Sequence, residues 1–164
     1  MNVLLISTYE LGRQPFGLAS PVAWLRQAGH QVTCQDLSQE RLNPERVREA
    51  QLIAFYLPMH TATRIALQAI RRVRTLNAGA HLCCYGLYAP PNAELLRSRG
   101  VATILSGEFE QDLLALADSL SGHNAAADAA SQSALTAANA RQATSAIPKL
   151  HFLAPDRAGL PPVA

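Results

Sequence analysis

His60 is the one histidine of this 164-residue chain that falls in a loop where a ligand could meet it. An imidazole there could hold a metal or carry a proton. With only Pro58, Met59 and Thr61 for company, a lone loop histidine reads first as a solvated or capping residue. His30 and His81 each open an apolar run, and His123 and His151 sit in polar and Pro-rich stretches. The three cysteines, Cys34, Cys83 and Cys84, are an odd count with an adjacent pair, a poor disulfide framework. Neighbours on a strand face opposite ways, so Cys83 and Cys84 cannot easily share one metal. They read as small buried hydrophobes in a reducing compartment. Asp36, Glu108, Glu110 and Arg13 are the charged residues placed where chemistry would be expected. Glu108 and Glu110 read first as acids at a helix N-terminus, and Arg13 as a solvated loop residue or a partner for phosphate or carboxylate.

The elements that must position these residues follow from periodicity. Asn2–Ser7 is an apolar run, residues 8–17 a polar loop with Gly and Pro, residues 18–28 a helical stretch, and residues 31–37 a second apolar run behind Gly29. Residues 43–49 read as a short helix, with Asn43 as N-cap and Pro44 in its first position. Residues 51–57 (QLIAFYL) show no alternation, as in a strand buried on both faces. In residues 62–77, Ile65, Ala69, Val73 and Leu76 recur at helical spacing and predict the buried face, with the arginines mostly opposite. Residues 80–85 and 101–105 read as strands, and residues 90–99 as a helix. Phe109, Leu113, Leu116 and Leu120 mark a last amphipathic helix. Five β-α steps in about 120 residues predict a doubly wound α/β fold. Its parallel sheet would have five strands in the flavodoxin-like order 2-1-3-4-5, with helices on both faces.

Residues 121–146 are Ala, Ser, Thr, Gln and Asn with one large apolar residue, Leu135, and read as a flexible linker. Residues 147–164 carry prolines at 148, 155, 161 and 162, which excludes a regular helix. They read as a strap that docks on something or leads to an absent domain. A formal charge of +2 with scattered arginines argues against nucleic acid as a partner. No apolar run approaches the roughly 18 residues of a membrane span. The N-terminus lacks the features of a secretory signal, so a cytoplasmic protein is expected.

Ligands of such sheets bind outside the carboxyl ends of the strands, so the loops at 8–17, 58–61, 85–89 and 106–110 are the candidates. A dinucleotide site would need G-x-G-x-x-G after the first strand; Gly12 and Gly17 stand five apart instead. Asp36 at the end of the second strand is weak support for a ribose binder. A phosphoacceptor would need an Asp at the end of the third strand, where Tyr56-Leu57-Pro58 stands. A flavodoxin phosphate loop is poorly matched by Ser7-Thr8-Tyr9-Glu10.

Taken together, residues 3–7, residues 17–32 (GLASPVAWLRQAGHQV), Asp36-Leu37, residues 51–61 and residues 100–110 (GVATILSGEFE) resemble the N-terminal cobalamin (B12)-binding domain of B12-dependent radical SAM proteins. The resemblance covers roughly residues 1–120, and residues 155–162 are similar to the strap that leads into the radical SAM barrel. It implies a cobalamin against the carboxyl edge, with its nucleotide tail running beside strands one, three and four. The implied contacts are Thr8, Tyr9, Gln14, Phe16, Gly17, Pro58, Met59, His60, Thr61, Tyr85, Gly86, Tyr88, Gly107 and Glu108. They suit a large, amide-rich ligand that wants hydrogen bonds and apolar wall rather than charge.

Two departures count. No D-x-H-x-x-G follows the first strand, so no histidine there would ligate cobalt. The Gly-Gly pair usual after strand four is Tyr85-Gly86, which would narrow the tail pocket. The chain also lacks the C-x-x-x-C-x-x-C spacing that holds a [4Fe–4S] cluster. S-adenosylmethionine and that cluster would belong to a radical SAM domain acting in cis or in trans. The rival expectation is a non-catalytic interaction or scaffold domain that keeps the fold without the cofactor.

Overall fold

The computed structural model describes residues 1–11, 13–122 and 153–160. Five strands, β1 (Asn2–Ser7), β2 (Gln31–Asp36), β3 (Leu52–Tyr56), β4 (His81–Tyr85) and β5 (Thr103–Ile104), form one parallel sheet in the order β2-β1-β3-β4-β5. Five helices connect and follow them: α1 (Phe16–Gln27), α2 (Pro44–Glu49), α3 (His60–Leu76), α4 (Ala93–Ser98) and α5 (Phe109–Ser121). This is the doubly wound topology expected from the sequence.

The unalternating strands have the two-sided burial that their composition demands. Val3 and Leu5 of β1, Leu52 and Ala54 of β3, and Cys83 of β4 pack under α1 and α5. Leu4, Ile6, Ile53, Phe55, Leu82 and Cys84 face α2, α3 and α4. Cys83 and Cys84 thus enter opposite cores as free thiols, and burial pushes both well above the usual thiol range. Asn43 caps α2, its Oδ1 accepting from the backbone N–H of Glu45 at 2.9 Å and of Arg46 at 3.3 Å.

Several boundaries differ from expectation for identifiable reasons. The buried stripe of α3 is Ala62, Ala66, Ile70 and Val73, while Ile65 is 37% exposed. The alanines let the helix lie close on the sheet, and that close approach outweighs the larger side chain in choosing the face. The expected helix at 90–99 begins as a 3₁₀ turn, Pro90–Asn92, before α4. Pro90 and Pro91 occupy its first positions, where a missing N–H costs no helical bond. The expected strand at 101–105 is ladder-paired only at Thr103–Ile104, as an edge strand with a single neighbour, although Val101 and Leu105 remain buried.

The segment 153–160 is not helical and docks on α1. The Asp156 N–H donates to the Ala19 carbonyl at 2.9 Å. Arg26 pairs with Asp156 at 2.5 Å and also donates to the Val32 and Ala158 carbonyls. Leu160 enters the core under α1 and α5. The expected linker lies outside the described residues beyond Gly122. Among the described residues no helix is long and apolar enough to cross a membrane.

Candidate functional site at the carboxyl edge

Parallel strands end together, so β1, β3 and β4 deliver the segments at Ser7, Tyr56 and Tyr85 to one edge. The register sets Ser7 opposite Tyr56 and Tyr56 opposite Tyr85. On the α1/α5 side of that edge stand three aromatic rings. Tyr56 and Tyr85 have centroids 5.4 Å apart, Tyr85 and Phe109 4.8 Å, and Tyr56 and Phe109 6.0 Å.

Two glycines make room for this cluster. A Cβ on Gly17 would lie 2.3 Å from Cζ of Tyr56, so only glycine lets the ring lie against α1. A Cβ on Gly86 would meet the Leu57 carbonyl at 3.0 Å and the Tyr56 ring at 3.1 Å, and Gly86 has φ +99, a left-handed conformation that glycine adopts freely. Tyr85 is wholly buried, and its hydroxyl donates to the Gly17 carbonyl at 2.7 Å. Pro21, inside α1, has no N–H to give that carbonyl. Nearby, Ser20 Oγ donates to Glu110 Oε1 at 2.7 Å and ties α1 to the start of α5.

Closer to β2, polar atoms are buried without partners. Ser7 is fully buried and its Oγ has no hydrogen-bond partner, and the same holds for Oε2 of Glu10. Burial, with the neighbouring Asp36 charge second, raises the Glu10 carboxyl to about 7. Asp36 Oδ1 is itself engaged by Ser38, accepting from its N–H at 3.0 Å and its Oγ at 2.7 Å. Burial pushes the Tyr56 phenol up to about 12, with Glu10 and Glu110 adding to the shift, so it stays neutral at physiological pH.

The residues implied by the resemblance divide by placement. Thr8, Gly17, Tyr85 and Gly86 are buried. Thr8 Oγ1 donates to the Ala62 carbonyl at 2.8 Å, anchoring the first loop to α3. Thr8 and Tyr85 therefore serve the fold with the groups that were expected to meet a ligand. Tyr9, Gln14, Pro58, Met59 and Tyr88 are half-buried. Gln14 Oε1 accepts from Arg157 at 2.5 Å, so the strap reaches the first loop. Phe16, His60, Thr61, Gly107 and Glu108 are exposed around the rim. His60 opens α3, and Glu108 precedes α5 with no side-chain capping bond.

Leu11 and Leu87, at 66% and 76% exposure, and the exposed Phe16 lie in the segments that follow β1 and β4. Sequence reasoning missed these two leucines and, above all, Tyr56, around which both glycines are arranged. A tyrosine ending a buried apolar strand was the available signal. No group of three metal-ligand side chains occurs among the described residues.

The fit to a cobalamin is divided. The unpartnered acceptors of Ser7 and Glu10 and the apolar rim suit an amide-bearing macrocycle. The interior beside β1, β3 and β4, expected to take the nucleotide tail, holds the three rings instead.

No family model matches the chain, and no curated protein matches it in sequence. Among solved structures it is similar to the radical S-adenosylmethionine methyltransferase TsrM from Kitasatospora setae, solved with tryptophan substrate and a SAM analogue. The TM-score is 0.64 at 19% identity, over 77% of this chain and 27% of that one. It is also similar to the flavodoxin-like domain of a Synechococcus sp. protein, with TM-score 0.50 and 16% identity, over 80% of this chain and 98% of that one. Likeness at such identities shows the fold alone, and the chain spans little more than a quarter of TsrM's length.

Proposed function

We propose that this domain is the cobalamin-binding module of a radical SAM system. It would hold the corrin at the carboxyl edge of the sheet for methyl transfer or another radical reaction, carried out with a radical SAM domain in cis or in trans. The observation that carries this reading is the pair of buried, unpartnered acceptors, Ser7 Oγ and Glu10 Oε2, at the end of β1. A buried polar atom without a partner is costly, and the peripheral amide N–H groups of a corrin would satisfy both. Leu11, Phe16 and Leu87 would cover the macrocycle and exclude water. The sequence resemblance to the cobalamin domain and the shared fold with a radical SAM methyltransferase support the same assignment. When bound, cobalamin would supply methyl or radical chemistry at cobalt. The [4Fe–4S] cluster and S-adenosylmethionine would belong to the other domain.

The test is colour. Protein at micromolar concentration, incubated with hydroxocobalamin and desalted, should keep the red absorbance in proportion to protein. Protein that emerges colourless refutes the reading. The second reading, a docking domain of the same fold without cofactor, would then stand. It is favoured by the aromatic cluster, which fills the interior, and by the apolar rim, which would face a partner.

A further inference from the structure

The cluster of Tyr56, Tyr85 and Phe109 bears on how any such ligand is held. A planar base slid between the sheet and the α1/α5 layer needs an atom-to-atom gap of about 3.5–4.0 Å on each side, or roughly 7–8 Å between walls. The Tyr85 and Phe109 rings are 4.8 Å apart at their centroids, and the Tyr56 ring closes against the bare backbone of Gly17. The Tyr85 side chain is not at liberty to swing aside. Turning Tyr85 outward would leave the Gly17 carbonyl buried without a donor, because Pro21 cannot provide one. Moving α5 away from α1 would break the buried Ser20–Glu110 bond. Tyr85 lies far along the chain from Gly17 and Pro21, and the three are mutually consistent. The filled interior is therefore a property written into the sequence. In contrast, Oε2 of the half-buried Glu10 has no partner, and Leu11, Phe16 and Leu87 are exposed.

We infer that this edge binds a corrinoid by its ring alone, with the nucleotide tail left outside the fold. The inference rests on the cobalamin reading above and specifies its ligand class: corrinoids irrespective of their lower nucleotide. Recognition then depends on the macrocycle and its amides, and a tail-less cobinamide is as good a ligand as cobalamin. A tail outside the protein also remains free to keep its base on its own cobalt.

The test compares hydroxocobalamin with diaquocobinamide by equilibrium dialysis against the whole chain, read by absorbance, together with the spectrum of the bound cobalamin. Dissociation constants within about threefold of each other, and a base-on spectrum for bound cobalamin, are expected. Replacing the exposed Leu87 by Asp, a change at the rim that leaves the core untouched, should weaken both ligands by about tenfold. Cobalamin binding tenfold or more tighter than cobinamide, with a base-off spectrum, overturns the inference and leaves the cobalamin reading standing. Equal binding of both ligands that ignores Leu87→Asp overturns the placement of the ring on this rim. Binding of neither ligand at 100-fold excess over micromolar protein overturns the inference together with the reading on which it rests.

Discussion

The Tyr85 hydroxyl donates to the Gly17 carbonyl at 2.7 Å, and the residue four further along α1 is Pro21, which leaves that carbonyl without its helical donor. A strand-end side chain on β4 thus completes the first turns of a helix that begins sixty-nine positions earlier in the chain. Tyr85→Phe keeps the ring and removes the donor. It should destabilise the domain by about 1–3 kcal/mol, the cost of a buried unpaired carbonyl. In a Pro21→Ala background the alanine N–H can serve Gly17, so the cost of Tyr85→Phe should shrink to a small fraction of that figure. Urea denaturation of the four proteins in this double-mutant cycle measures the difference. Equal costs in both backgrounds would show that the carbonyl is satisfied in another way.

Gly17 meets the same cluster from the other side. Gly17→Ala drives a methyl group into the Tyr56 ring, whose Cζ lies 2.3 Å from the new atom. A loss of about 1–3 kcal/mol is expected from the overpacking. Tyr56→Leu removes the obstructing end of the ring, so the double variant should be more stable than the sum of the single effects predicts. The measure is again the coupling energy, and its sign is the prediction: the two losses must be less than additive.

These pairs show where sequence reading reached and where it stopped. The strand order was legible because four of the five strands are near-continuous apolar runs and each is followed by a helical period. The N-cap at Asn43 was legible because it acts on its immediate neighbours. The stripe of α3 was not, because alanines at 62 and 66 carry little hydrophobic weight in a pattern, yet they decide how closely the helix approaches the sheet. The four loops of the candidate site follow directly from strand order. The role of Tyr56 does not. It depends on Gly17, Gly86, Tyr85 and Phe109 meeting it through the fold, and no local spacing records that. Thr8 and Tyr85 were the right residue types to meet a ligand, but long-range partners, the Ala62 and Gly17 carbonyls, occupy their hydroxyls.

Glu10 gives the domain a pH dependence of definite sign. Its carboxyl is raised from 4.5 to about 7 by burial and by Asp36, so the folded state binds its proton more tightly than the unfolded chain does. The stability this contributes is fully present below 4.5 and is lost as pH rises through about 7. Glu10→Gln carries no titrating proton. Its stability should therefore be flatter between pH 4.5 and 7, and at pH 8 the variant should be at least as stable as the parent. Half-exposure of the side chain limits the size of the effect, so the slope is the quantity to compare. A parent curve that rises across this window with the same slope as the variant contradicts the assignment. If Glu10 meets amide donors of a ligand, binding should also be preserved in Glu10→Gln, whose Oε1 still accepts, and weakened in Glu10→Leu.

The strap offers a different measurement. Asp156 accepts from the Ala158 N–H at 2.8 Å and from Arg26 at 2.5 Å, and these bonds hold its carboxyl below the usual range. Arg157 next to it donates to Gln14 in the first loop of the candidate site. Both members of the Arg26–Asp156 pair are about one-third exposed, so the pair itself is worth no more than about 1 kcal/mol. Asp156→Asn should lower Tm by only about 2–4 °C, and less at high salt. The larger consequence should be local. Releasing Asp156 frees the turn that presents Arg157, and backbone exchange in residues 13–16 should rise with it while exchange in β3 and β4 stays unchanged. Hydrogen exchange on the parent and the variant resolves the two regions separately. A rise confined to residues 153–160 would mean that the strap rests on α1 without governing the loop, and the coupling from strap to site would have to be abandoned.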